Sequence, residues 1–136
     1  NTEAEDLMQL MLQMVHLTDD IIDEDLAPQH RRRGAERICE LGALAACLYT
    51  HPFFCKNQGA LYGALLNARI DYANSVAWEE EKGWKKQASD WLRHGSIRVV
   101  ALIAAICGGY RHARPFSEEL WTLAYDLHHD TEGKSV

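Results

Sequence analysis

Prolines place the strongest limit on this fold, because there are only three of them, Pro28, Pro52 and Pro115, in 136 residues. Proline interrupts the interior of a helix, so the stretches between these residues can run as continuous helix. Apolar residues recur there at steps of three and four, and no segment has the alternation of a strand or a two-residue hairpin turn. The sequence therefore predicts an all-α fold, a single-domain bundle of five to six helices over residues 1–136.

Capping signals and breaks give approximate bounds for these helices. A capping box, Thr2-x-x-Glu5, opens the first helix, and Asp19 offers an alternative break within it. Thr50 or His51 would cap the third helix, and the paired glycines 108–109 would end the fourth. The expected helices are about 2–25, 34–49, 52–81, 84–107 and 117–130. The third and fourth would be long and central, and residues 131–136 would form a frayed tail.

The third helix also carries small residues at helical spacing, which would let another helix approach closely. They are Gly59, Ala60, Gly63, Ala64 and Ala68. The spacing predicts a packing surface, inside the chain or between two copies of it.

Charge and composition exclude several classes of function. The net charge is −6, which disfavours general nucleic-acid binding. The longest apolar run, 99–107, is far shorter than the roughly 20 residues that span a bilayer, and the N-terminus is acidic where an export signal would be basic. Four cysteines without metal-site spacing suggest reduced thiols buried in a core. We therefore expect a cytoplasmic protein without a membrane segment.

An acidic cluster early in the chain is the strongest candidate for chemistry. On a helix, His16, Asp19, Asp20 and Asp23 would share one face and present the oxygen ligands that Mg²⁺ prefers. Arginines 31, 32 and 33 follow and would suit a phosphate or diphosphate. One hypothesis is thus a Mg²⁺-dependent enzyme acting on a phosphorylated small molecule. The alternative is a solvated acidic turn neutralised by the arginines.

This segment resembles the first aspartate-rich motif of trans-polyprenyl diphosphate synthases, in which D-D-x-x-D precedes R-R-G. The resemblance implies that Asp19, Asp20 and Asp23 bind metal, and that Arg32 and Arg33 bind the diphosphate. That family repeats the motif in a later helix, and this chain has no second D-D-x-x-D. We therefore do not assign the chain to that family.

A polar ladder on the third predicted helix is the second candidate. Asn67, Asp71, Asn74 and Trp78 follow at steps of four, three and four. A buried carboxylate needs a partner, and the predicted partners of Asp71 are His94 and Arg98, or Arg111, His112 and Arg114. With Trp78, Trp91, Trp121 and Tyr110 nearby, the ladder predicts a small-ligand pocket. The alternatives are a core network that fixes helix register and an exposed stripe.

Two weaker patterns complete the candidates. His128-His129-Asp130 resembles the paired His-Asp of metal-dependent HD phosphohydrolases, but the later aspartate of that family has no counterpart here. Cys55 near His51 suggests a thiol nucleophile, although Phe53 and Phe54 favour an apolar setting. Phosphate-loop, G-x-S-x-G and H-E-x-x-H motifs are all missing from the sequence.

The segments 51–54, 66–79 and 107–110 together resemble small helical proteins carried by prophages and integron gene cassettes, which implies a mobile-element context and no particular activity. We expect a cytoplasmic binding or interaction protein that forms a homodimer through its helix faces, with a protein partner or a small ligand. No cofactor is expected, except Mg²⁺ under the enzyme hypothesis. The catalytic residues of such an enzyme are unknown.

Overall fold

A computed structural model describes the backbone of residues 1–135 and the side chains of residues 1–126. Residues 1–135 form seven α-helices and no strand, which confirms the predicted class. A π turn (Ile21–Asp25) and a 3₁₀ turn (Pro28–His30) join the first two helices. The helices are α1 (Thr2–Asp20), α2 (Arg31–Thr50), α3 (Pro52–Lys56), α4 (Gln58–Ala77), α5 (Trp84–Leu92), α6 (Ser96–Gly108) and α7 (Tyr110–Ser135).

The chain divides into two compact units, Asn1–Gln58 and Gly59–Val136. In the first unit, α1 packs against α2 and α3. The buried residues of α1 recur at steps of three and four, so one stripe of this amphipathic helix faces the core. The core side chains of this unit are Ala4, Leu7, Met11, Met14, Ile21, Leu48, Phe53 and Phe54.

In the second unit, α6 packs against α7. Val99, Ile103 and Ala104 of α6 are buried, together with Ala113 of α7. The turn between the two helices is made at Gly109, whose φ of 80° is one that side-chain-bearing residues rarely adopt. The predicted glycine stop of this helix is therefore confirmed.

The predicted long third and fourth helices are each broken in two. Asn57 ends α3 because its side-chain Nδ2 donates to the Phe53 carbonyl oxygen, 2.9 Å away. Residues 93–95 separate α5 from α6, and the two helices meet at a 47° bend. The prediction of five to six helices is accordingly too low.

Two helix starts also differ from the prediction. The N-cap of α1 is Asn1, whose Oδ1 accepts from the Ala4 N–H, so the predicted capping box at Thr2 is wrong. The last helix begins at Tyr110 instead of Ser117, and Pro115 lies inside it. Proline near the start of a helix removes one N–H bond, and the helix tolerates this loss here. His51, in contrast, caps α3 with Pro52 in the first turn, as predicted.

The small-residue surface and the cysteines are not in a core. A Cβ atom built on Gly59 or Gly63 would meet nothing within 4 Å. Ala68 lies near the backbone of Gly95, where an added Cβ would be 3.6 Å from the Ala68 Cα. All four cysteines are free and exposed, so the prediction of buried thiols is wrong. The predictions of one domain and of a frayed tail at 131–136 stay predictions, and the tail's side chains lie outside the described residues.

Candidate functional site

Asp25 is the buried carboxylate of the acidic segment, and two arginines hold it. Its side chain is 0% exposed; Oδ1 accepts from the Arg33 Nε at 2.6 Å and Oδ2 from the Arg37 Nη1 at 3.1 Å. Arg37 also donates to the Glu24 carboxylate at 3.2 Å. The π turn that follows α1 places both acids opposite α2, where Arg33 and Arg37 lie one helical turn apart.

This arrangement sets the protonation state of Asp25. Burial alone would raise the pKa of Asp25, but the hydrogen bonds and positive charges of Arg33 and Arg37 outweigh that effect and hold the pKa below its ordinary value. The hydrogen bond to Glu24 in turn raises the pKa of Arg37, against the effect of burial. The cluster is therefore a charged lock between the π turn and α2.

The predicted metal ligands are more exposed than Asp25. His16 and Asp23 are exposed, and Asp19 and Asp20 are partly exposed. Among the described side chains, no group of three or more His, Cys, Asp or Glu could hold a metal ion. Of the three predicted anion-binding arginines, Arg31 is exposed and Arg32 pairs with Glu36 on its own helix at 3.8 Å. Of these three arginines, only Arg33 contacts the acidic segment, where it forms an ion pair with Asp25.

Sequence reasoning missed Asp25 and Arg37 as partners. A signal was present, because Arg33 and Arg37 are four residues apart and share a helix face. Asp25 points inward because the π turn alters the direction of the side chains that follow α1. No spacing in the sequence indicates this π turn.

In the second unit, Asp71 of α4 forms an ion pair with Arg98 of α6. Arg98 was one of the two predicted partners on the fourth helix. Gly95 lies beside this pair: a Cβ atom built on it would be 3.6 Å from the Asp71 Cβ, an ordinary van der Waals distance. The Asp71 side chain is partly buried and that of Arg98 is largely exposed, so solvent reaches one side of the pair.

A second polar contact, which the sequence did not reveal, lies one turn further along α4. The Ser89 hydroxyl donates to the Ser75 carbonyl oxygen at 2.6 Å, and the Arg93 Nε donates to the Ser75 Oγ at 2.9 Å. Both serines are buried, and the Arg93 guanidinium also lies over the Tyr72 ring at 5.1 Å. The sequence signal that could have pointed to Ser75 is its i, i+4 relation to Asp71, which puts both residues on one face of α4.

The predicted aromatic walls belong to two separate groups. Trp78 meets Trp84 with ring centroids 5.5 Å apart. Trp91 contacts Trp121 at 5.7 Å and Tyr125 at 6.3 Å. Of the other predicted pocket residues, Asn67 and Tyr110 are exposed, and Asn74 and His94 are partly buried. The Asp71 pair and the two ring groups have no residue in common.

The alternative predicted partners of Asp71, which are Arg111, His112 and Arg114, lie on α7. His112 stacks on Phe116 at 6.0 Å and lies against Gly108, while Arg114 pairs with Glu118 at 3.3 Å. The side chains of His128, His129 and Asp130 lie outside the described residues. His51 Nδ1 accepts from the Phe53 N–H, and the Cys55 Sγ donates to the Tyr49 carbonyl oxygen at 3.6 Å. These two residues therefore engage the backbone separately and do not form a thiol–imidazole pair.

In the described part of the chain, no single helix is both long and apolar enough to cross a bilayer. The bent pair of α5 and α6 meets that criterion when the two are taken together, by length and composition alone.

Comparison of the chain with protein-family models, with curated proteins and with solved structures finds no match.

Proposed function

We propose that the chain is a helical binding protein that acts as a homodimer, joined through the exposed apolar row of α4. The row consists of Tyr62, Leu66 and Ile70, which follow at steps of four and are 54%, 47% and 51% exposed. Residues at this spacing lie one above the other on a helix, so the row is continuous. Contiguous exposed apolar surface of this kind is typical of protein interaction sites.

The residues around the row support a helix-to-helix contact. Gly59 precedes the row, Gly63 lies within its span and Ala73 follows it, and all three are exposed. Small residues beside large apolar ones let a second helix approach closely, and a twofold axis would set the same row of each copy against its partner.

Sedimentation equilibrium in reducing buffer tests this proposal over a range of concentrations. The wild-type chain should reach twice its monomer mass, and Leu66→Glu should remain monomeric because it places a charge inside the contact. Leu12→Glu on α1 is the matched control, since Leu12 is 48% exposed, against 47% for Leu66. A wild-type monomer at all concentrations, or equal effects of the two variants, would overturn the proposal.

A further inference from the structure

We propose that the aromatic group on α5 and α7 binds a basic segment of a partner protein, with an arginine or lysine side chain over Trp91. This aromatic platform consists of Trp91, Trp121 and Tyr125. The rings of Trp91 and Tyr125 are nearly parallel, at 16°, and Trp121 is tilted against Trp91 by 59°. Trp91 is 49% exposed, so its indole surface is accessible from solvent. The proposal is independent of the α4 row, because none of these residues lies on α4.

Charge favours a cation at this place. Asp90 and Asp126, which are both exposed, are the chain neighbours of Trp91 and Tyr125. The chain as a whole carries a net charge of −6. Indole offers the most favourable aromatic face for a cation, and nearby carboxylates add attraction for an ammonium or guanidinium group.

The same unit contains two internal examples of this contact. The Lys85 ammonium lies 5.8 Å from the Trp78 ring centroid and 5.9 Å from that of Trp84. The Arg93 guanidinium lies over Tyr72. In these two places the chain supplies its own cation, whereas half of the Trp91 surface remains open to an external one.

A depression on α7 lies beside the aromatic platform. A ligand that fills both of them contacts more surface than a single cation covers. The lining residues of the depression are Pro115, Glu118, Glu119, Thr122 and Leu123. Trp121 and Tyr125 follow Glu118 and Thr122 by three residues each, which makes the two surfaces neighbours on the helix. The depression combines apolar and acidic groups, so it fits the continuation of a basic peptide better than a free amine.

The test uses the full chain and a short, blocked, fluorescently labelled peptide of alternating arginine and leucine, with binding followed by anisotropy. The control peptide carries citrulline in place of arginine, which keeps the shape of the side chain and removes its charge. Saturable binding is expected, weakened about tenfold or more by citrulline. Trp91→Leu should weaken it about fivefold, because one cation–aromatic contact is lost.

Trp84→Leu is the matched protein control, since Trp84 is more exposed, at 66%, and already has Lys85 beside it. It should leave the affinity within about twofold, and Trp91→Phe should fall between wild type and Trp91→Leu. Circular dichroism checks that each variant keeps its helices.

Several outcomes would overturn the proposal: no saturable binding, equal binding of the two peptides, equal loss in Trp91→Leu and Trp84→Leu, or full displacement of the peptide by free arginine amide at matched guanidinium concentration. The last result would make a free cation the ligand. Loss of self-association in Trp91→Leu would also overturn it, because a second copy would then cover the platform.

Discussion

Gly34 leaves room for the backbone of Asp25. A Cβ atom on Gly34 would lie 3.1 Å from the Asp25 Cβ and 3.2 Å from its carbonyl oxygen. This close approach brings the π turn against α2, where Arg33 and Arg37 reach the Asp25 carboxylate. The small size of glycine is what this position requires, since its backbone is helical.

We expect Gly34→Ala to destabilise the first unit by about 1 kcal/mol, because overpacking against Asp25 outweighs the gain in helix propensity. Gly42→Ala is the matched control on the same helix, where a Cβ meets nothing within 4 Å. That change should stabilise by about 0.5–1 kcal/mol. Urea unfolding followed by circular dichroism measures both, and an equal gain in the two variants would contradict the packing argument.

The Asp25 lock predicts a loss of stability in acid. The pKa of Asp25 is lower in the folded chain than its ordinary value of 3.8, so the unfolded chain takes up the proton first as the pH falls. The stabilisation is complete above that ordinary pKa and is lost as the pH drops through the folded-state pKa. Asp25→Asn should therefore be less stable than wild type at neutral pH. Its free energy of unfolding should lack the decrease in acid that protonation of Asp25 causes.

Urea unfolding at a series of pH values checks the dependence. Glu36→Gln is the control, because Glu36 and Arg32 are exposed and 3.8 Å apart, and such surface pairs contribute between about 0 and 1 kcal/mol. Parallel stability curves for wild type and Asp25→Asn below pH 4 would show that Asp25 is not the titrating group.

We expect the small side chain of Ser75 to contribute measurably to the free energy of unfolding. Removing its hydroxyl leaves the Arg93 Nε without its acceptor, so Ser75→Ala should lower the free energy of unfolding by about 1–2 kcal/mol. Thr122→Ala is the control, since the exposed Thr122 hydroxyl bonds only its own helix, at Glu118, and should give a change within about 0.5 kcal/mol. All four tryptophans lie in the second unit, so their fluorescence reports this unfolding. Equal shifts in both variants would reject the Ser75 contact as a stabilising one.

Mg²⁺ tests the enzyme hypothesis raised by the acidic segment. The lock turns Asp25 and Glu24 toward arginines, and the described side chains offer no three-ligand cluster. We expect calorimetry with Mg²⁺ to give the same weak heats for wild type and for Asp20→Asn/Asp23→Asn. Saturable binding by wild type that the double variant loses would instead restore a metal site at these aspartates.

Sequence patterns within one segment predicted the features that depend on that segment alone, which are the helical class and some of the helix ends. The all-α class follows from apolar spacing, the start of α3 from His51 and Pro52, and the end of α6 from its glycines. Helical spacing also predicted Arg98 as a partner of Asp71, because the periodicity places both residues on helices, and the two form an ion pair.

The remaining features depend on tertiary contacts, which spacing does not encode. The bend at 93–95 places Gly95 against Ala68 and Asp71, and nothing in the local sequence requires it. Ser75 is buried although serine is common on surfaces, and Asp25 faces inward because a π turn shifts its phase. Three of the cysteines have apolar neighbours in the sequence, yet all four are exposed.

Those exposed thiols affect how the chain must be handled. Two of them, Cys39 and Cys47, are eight residues apart on α2 and accessible from solvent. Air oxidation can link such thiols between molecules, producing covalent multimers that have nothing to do with helix packing. The same accessibility makes Cys39 and Cys47 natural attachment points for spin or fluorescent labels about two turns apart on one helix.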